Sequence, residues 1–380
     1  MIERHITSHL LKRLSDKKAL VLMGSRQVGK TTLLKHILPK SSEVLWLSGD
    51  ESDVRALFEA PTSSRLKALF GKSKIVVIDK AQRIEDVGIK LKLICDHIPE
   101  VKLLATGSSS FELANKISES LAGRKWEFQL YPLSYQELSD EHGQLEEQRL
   151  LYHRLVYGSY PEVVIHPGDE IALLREITSS VLYKDILSLD GIKNSDKLER
   201  LLQSLAYQIA GMVSYHELGQ MCGLDQKTVE RYINILEQAY IVFRVGSYSS
   251  NLRNELKKSR KVYFFDNGIR NAVIADFRPA EMRTDIGQLW ENYLMAERRK
   301  LLNNHGKMTT CRFWRTSQKQ EIDLVEISDG RIDAYEFKWS PHAKPRGVKT
   351  FCAAYPESSF TLVNPDNYTN FLTLPTQSEV

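Results

Sequence analysis

The 380-residue sequence predicts an α/β fold built on a phosphate-binding loop, followed by a helical connector, a winged helix and a second α/β unit. Three observations carry this expectation. A complete GxxxxGK[ST] stretch, Gly24-Ser25-Arg26-Gln27-Val28-Gly29-Lys30-Thr31, stands between the apolar run Ala19–Met23 and the helical-looking Thr32–Leu38. Short apolar runs that end in polar tips then alternate with amphipathic stretches as far as residue 140. Finally, two short helical patterns around Gly223 precede a pair of strand-like runs.

Strand, glycine turn and helix start let successive backbone N–H groups converge on phosphate oxygens, helped by the positive end of the helix dipole. Gly24, Ser25, Arg26, Gln27, Val28, Gly29, Lys30, Thr31 and Thr32 are therefore the expected nucleotide-binding residues. Lys30 reaches for the β- and γ-phosphates, and the Thr31 hydroxyl is expected on Mg²⁺.

Further strands are expected at Val44–Leu47, ending in Ser48-Gly49-Asp50; at Lys74–Ile78, ending in Asp79; and at Val101–Ala105, ending in Thr106-Gly107-Ser108. Each polar tip leaves its strand at the carboxyl end, the edge where open α/β sheets bind ligands. Asp79 after four apolar residues is the expected Walker B carboxylate and second Mg²⁺ ligand.

The order of Gly24–Thr32, Val77-Ile78-Asp79-Lys80-Ala81-Gln82, Thr106–Phe111, Leu121-Ala122-Gly123-Arg124 and Leu130-Tyr131-Pro132-Leu133-Ser134 resembles the AAA-type ATPases of the prokaryotic "archaeal ATPase" group. The similarity runs on through Tyr157–Pro161 and the C-terminal half. It implies ATP as ligand with Mg²⁺, a γ-phosphate sensor at Ser108 or its neighbours, and a nucleotide-contacting arginine, in cis or in trans, at Arg124. One departure matters. Where the family pattern has a water-orienting Glu after the Walker B Asp, this chain has Lys80. An ammonium cannot take a proton at neutral pH, so binding with slowed hydrolysis is expected; Asp50 and Glu85 are alternative water-orienting groups.

Residues 140–210 read as helical, from Leu145–Leu151 and Leu198–Leu205. Ser214–Met221 and a second helix opening at Asp225, with Val229, Ile233 and Leu236 on one face, form a helix-turn-helix. The runs Tyr240–Val245 and Lys261–Phe265 complete a winged helix around the basic loop Asn251–Arg260. Gln226, Lys227, Arg231 and Asn234, with the cations Arg253, Lys257, Lys258, Arg260 and Lys261, are its expected DNA-facing residues; partner docking is the competing use.

Beyond residue 285, Glu291 on a helix, Asp323, and the Glu336-x-Lys338 pair resemble the D…(D/E)xK core of restriction-endonuclease-like domains. That resemblance implies Mg²⁺ on Asp323 and Glu336, with Lys338 assisting the attacking water or the leaving group. The expected boundaries are 1–140 for the P-loop ATPase domain, 141–210 for a helical lid or connector and 211–266 for the winged helix, then 280–365 for the nuclease-like domain and 366–380 for a loose tail.

Composition narrows the classes. Hydrophobic residues at 42% and charged residues at 26% fit a globular protein, and no apolar run is long enough to span a bilayer, so a cytoplasmic protein without a membrane partner is expected. Cys95, Cys222, Cys311 and Cys352 lack CxxC spacing, which argues against a zinc site and for reduced, mostly buried thiols. A net charge of +4 decides little about nucleic acid, and nothing in the sequence counts subunits. Three functions compete: an ATP-driven switch acting on DNA, a nucleotide-gated scaffold for an unidentified protein partner, and a metal-dependent nuclease regulated by ATP.

Overall fold

The structure, a computed structural model, describes residues 1–107, 120–180, 195–248 and 260–374. Its first sheet is all parallel. Strands β1 (Ala19–Met23), β2 (Val44–Ser48), β3 (Ile75–Asp79), β4 (Lys102–Gly107) and β5 (Lys125–Gln129) lie in the order β2-β3-β4-β1-β5. Helices α1 (Thr7–Leu14), α2 (Lys30–Ile37), α3 (Ser52–Leu57), α4 (Ser63–Phe70) and α5 (Val87–His97) accompany it. Alternation along β1 divides its side chains between two cores: Ala19, Val21 and Met23 join Phe58, Phe70 and Leu91, while Leu20 and Leu22 join Leu33 and Leu34. Both faces are therefore covered, as a parallel sheet requires.

Strand β5 is absent from the sequence reading. Its Lys-Trp-Glu-Phe-Gln pattern is half polar because it is an edge strand, with Trp126 and Phe128 packed on the core and Trp126 Nε1 donating to Asp16 Oδ2 at 2.9 Å.

Next come α6 (Tyr135–His142), α7 (Gln144–Arg149), α8 (Leu151–Tyr157), α9 (Pro161–Ile165) and α10 (Glu170–Ser179). The helix expected across Leu145–Leu151 breaks at Leu150, because Leu151 and Leu155 turn into the C-terminal core while Leu145 stays in solvent. A second group follows: α11 (Ser195–Tyr207), β6 (Met212–Val213), α12 (Tyr215–Cys222), α13 (Gln226–Gln238), β7 (Val242–Gly246) and β8 (Arg260–Phe264). Gly223, at φ +64°, ends α12, and Asp225 caps α13 by accepting from the Thr228 amide at 3.0 Å. Val229, Ile233 and Leu236 are fully buried in the same core as Leu20. The three strands form an antiparallel sheet in the order β6-β8-β7.

After α14 (Asn267–Val273), the long helix α15 (Ile286–Asn304) leads into β9 (Thr310–Arg315), β10 (Glu321–Ser328), β11 (Arg331–Phe337), α16 (Val348–Ala354), β12 (Ser359–Val363) and α17 (Tyr368–Phe371). The sheet order is β12-β11-β10-β9, antiparallel except for β12 beside β11. A bridge from Ser247 to Phe313 joins this sheet to the smaller one. The expectation of a loose tail from residue 366 is corrected as far as residue 374: Tyr368, Phe371 and Leu372 are buried against Trp290 and Tyr335, because their aromatic and apolar side chains finish this core. Residues 375–380 lie outside the described part. All four cysteines are free, as expected, but only Cys222 is buried, the other three being half-buried.

Asn292 joins α15 to the smaller sheet in the manner of a strand. Its side chain accepts from the Phe264 amide at 2.7 Å and donates to the Phe264 carbonyl at 3.0 Å and to Asn267 Oδ1 at 2.7 Å, with no solvent exposure. Asn292→Ala leaves these groups unsatisfied, so a loss of about 2–4 kcal/mol is expected in urea denaturation. A midpoint indistinguishable from that of the wild type contradicts the assignment.

Candidate functional site

The phosphate loop leaves β1 at its carboxyl end. A Cβ on Gly24 would stand 2.2 Å from the Leu130 carbonyl oxygen, and Gly29 has φ +93°, so both glycines are demanded by the backbone. Arg4 holds the loop from below: Nη1 donates to the Val28 carbonyl at 2.9 Å, Nη2 to the Tyr131 carbonyl at 2.6 Å and Nε to Glu137 at 3.1 Å. Ser25 Oγ accepts from the buried Tyr160 hydroxyl at 3.1 Å. Lys30 Nζ is folded across the loop onto the carbonyls of Gly24 at 2.9 Å and Ser25 at 2.6 Å.

Thr31 Oγ1 lies 3.0 Å from both carboxylate oxygens of Asp79, which is buried at the tip of β3. This pair of hard oxygens fits Mg²⁺, which needs only one or two protein ligands when phosphate and water supply the rest. Thr106, escaping the sequence reading as a functional residue, sits at the tip of β4, donates to Asp79 Oδ1 and accepts from the Lys80 amide at 3.1 Å. Its hydroxyl fixes the orientation of the Walker B carboxylate. The expected sensor Ser108 lies outside the described residues.

These groups line a cleft of about 410 Å³ together with Arg26, Gln27, Thr32, Asp50, Lys80, Gln82, Arg83 and Glu176. Lys80 sits at φ +52° and its ammonium is ion-paired with Asp50, which Arg83 also approaches at 3.6 Å. The hydrogen bond from Lys80 holds the Asp50 carboxyl below its usual value. Asp50 is thus occupied, and Glu85 does not line the cleft. The carboxylate of Glu176, on α10, has no hydrogen-bond or ion-pair partner among the described residues, and no motif marks it in the sequence. Arg124 is not brought to the cleft of its own chain. It precedes β5 at the amino end of the sheet, bonded through its carbonyl to Ala19 and through Nε to Asp96 at 2.6 Å.

A second cavity of about 380 Å³ opens on the other side of Gln27, Gly29 and Thr32. Met1, Ile2, Leu33, Leu133, Pro161 and Ile165 give it apolar walls. Its size and character suit a flat aromatic base attached to phosphates in the cleft.

In the C-terminal part, Glu291 and Asp323 do converge, but around a lysine, while Glu336 pairs with Lys338. Lys261 of β8, which is 3% exposed, meets Glu291 at 2.7 Å, Glu321, and Asp323 at 3.5 Å. Tyr263 donates to Glu291 at 2.8 Å, the Phe337 amide to Asp323 at 2.8 Å, and Lys338 to Glu336 at 2.7 Å. Among the described residues no group of three acidic, histidine or cysteine side chains is arranged to hold a metal ion. Lys261 is therefore not a surface cation, as the winged-helix reading expected. Arg260 pairs with Glu230 at 3.7 Å, Asn234 is engaged by Arg244, and Arg253, Lys257 and Lys258 lie outside the described residues. Gln226, Lys227 and Arg231 are exposed on α13 as expected.

Comparison with known proteins places three regions. Residues 16–139 match the family model of an AAA domain, AAA_14; residues 148–281 match a domain of unknown function, DUF8612; and residues 286–371 match another, DUF4143. An uncharacterized protein of Mycobacterium tuberculosis is 27% identical over 343 residues, covering 89% of this chain and 74% of that one. An uncharacterized protein of Methanocaldococcus jannaschii is 21% identical over 377 residues, covering 93% and 82%. A Walker-type ATPase of Pyrococcus abyssi superposes with a TM-score of 0.48 at 14% identity, over 72% of this chain and 96% of that chain. No helix among the described residues is long and apolar enough to cross a membrane.

Burial pushes the Glu291 carboxyl up to about 7, with Asp323 adding to the rise against the pull of Lys261. A raised carboxyl binds its proton in the folded state while the unfolded chain has lost it, so its contribution to stability falls as pH rises from about 4.5 to about 7. Urea midpoints of the wild type should decline across that window relative to those of Glu291→Gln. Parallel profiles would remove this role.

Proposed function

We propose that this chain, whose residues 16–139 form an AAA-type P-loop ATPase domain, binds ATP with Mg²⁺ and uses the nucleotide state to move the helix-turn-helix and C-terminal sheet, acting on DNA. The observation that carries the reading is the constellation of Thr31 on α2 with Asp79 and Thr106 at the tips of β3 and β4, beside a loop whose glycines are required by its backbone. Mg²⁺, when bound to Thr31 and Asp79, would neutralise charge on the β- and γ-phosphates. Lys30 would exchange the two loop carbonyls for phosphate oxygens, and the apolar cavity beside Leu33 and Pro161 would take the adenine.

Turnover is slow in this scheme. With Lys80 and Asp50 neutralising each other and Asp79 assigned to Mg²⁺, Glu176 is, among the described residues, the carboxylate left in the cleft to orient water. Coupling to the rest of the chain runs through Arg4, which touches the loop, and through Tyr160, whose hydroxyl touches Ser25 at the head of α9. The exposed Gln226, Lys227 and Arg231 of α13, in a winged-helix arrangement, are suited to phosphates or base edges. Lys80 at the Walker B position also supports a second reading, a nucleotide-gated scaffold that holds ATP without turning it over and docks a protein partner.

Retention of a fluorescent ATP analogue should weaken on the order of a hundredfold in Lys30→Ala, which loses charge-assisted bonds to phosphate. Equal retention rejects the nucleotide site itself. Phosphate release should fall about tenfold or more in Glu176→Gln with retention unchanged, and rise in Lys80→Glu. Retention without release in every variant selects the scaffold. Binding of duplex DNA that weakens steeply with salt supports action on nucleic acid, and a flat response selects docking.

A further inference from the structure

The cluster around Lys261 has the composition of a cation site and already contains its cation. Three elements contribute: Glu291 from α15, Glu321 and Asp323 from β10, and Lys261 from β8. The β10–β11 register pairs Leu324 with Tyr335, and one step further sets Asp323 opposite Glu336 on the same sheet face. Glu336 is 3% exposed, and its Oε2 is buried without a hydrogen-bond partner. Nearby carboxylates in a dry place repel one another, and such a group persists only around compensating positive charge. A divalent ion is one solution and an ammonium is another.

We propose that Lys261 is a resident cation that stands where a divalent metal would otherwise sit, so that the C-terminal sheet holds no catalytic metal and does not cleave phosphodiesters. An Nζ 2.7 Å from Glu291, in contact with Glu321 and 3.5 Å from Asp323, occupies the space an oxygen-ligated metal needs at 2.0–2.6 Å from the same atoms. The side chain cannot withdraw into solvent, because it is buried on a strand that pairs on one side with β6 and on the other with β7. Asp323 is further committed by accepting the Phe337 amide, and Lys338 is spent on Glu336 at 2.7 Å, so neither is poised toward a water or a leaving group. Lys261 also acts as a rivet: one ammonium ties the smaller sheet to α15 and β10.

The inference stands whether or not the phosphate-loop cleft hydrolyses ATP. It is tested by counting bound Mn²⁺ per full-length chain by electron paramagnetic resonance, without nucleotide. Wild type and Asp323→Asn should bind the same number of ions, while Lys261→Ala should bind one more, lost again in Lys261→Ala/Asp323→Asn. An ion bound by the wild type and lost in Asp323→Asn overturns the proposal, as does a folded Lys261→Ala that gains none. Should Lys261→Ala fail to fold, the comparison of wild type with Asp323→Asn still decides, equal numbers supporting the resident cation and unequal numbers overturning it.

Discussion

A single buried guanidinium holds the phosphate loop in register with everything C-terminal to it. Arg4 spends three of its donors on groups far apart in sequence: the Val28 carbonyl inside the loop, the Tyr131 carbonyl after β5, and the Glu137 carboxylate on α6. Burial alone would raise the Glu137 carboxyl, but Arg4 and the amides of Ser134 and His5 bring it below its ordinary value. A buried charge without its partner is expensive, so these segments stay together or the site is lost.

From that point the polar contacts continue inward. Glu137 and Ser134 cap α6 reciprocally, and the Tyr135 amide donates to Glu297 of α15 at 2.6 Å. Lys300, one turn further along α15, reaches Glu297 at 2.7 Å, the Leu133 carbonyl at 3.1 Å and Ser159 at 2.9 Å. Ser159 in turn gives its amide to Asp266, just ahead of α14. The loop that faces phosphate and the helix that carries Glu291 are therefore joined by fully buried, mutually satisfied groups. Such a network fixes the geometry between the two parts more than it adds stability.

The two halves handle cations differently. In the cleft, Asp79 is flanked by hydroxyls, which orient it and leave its charge without an ammonium partner among the described residues. In the C-terminal cluster the carboxylates face an ammonium built into the chain. Similar acidic residues at the ends of strands thus face hydroxyls in one place and an ammonium in the other, and the neighbour decides which.

The phosphate loop was legible because its chemistry is local: strand, glycines, Lys30 and Thr31 are adjacent in the chain, and their backbone conformation dictates the residue types. Asp79 was legible for the same reason, as were the two helices around Gly223, whose apolar spacing and Asp225 cap are written within twenty-five residues. Strand β5 was not, since its partner β1 lies a hundred residues away and its edge position permits a half-polar sequence. Nor were the positions of Thr106, Glu176 and Arg124 relative to the cleft, because which end of a sheet a residue occupies is set by pairing register. Lys261 is the sharpest case: in sequence it belongs to a basic run, and only the packing of β8 against α15 and β10 turns its charge inward, since a buried acidic cluster is stable only where some other part of the fold brings a positive charge to it.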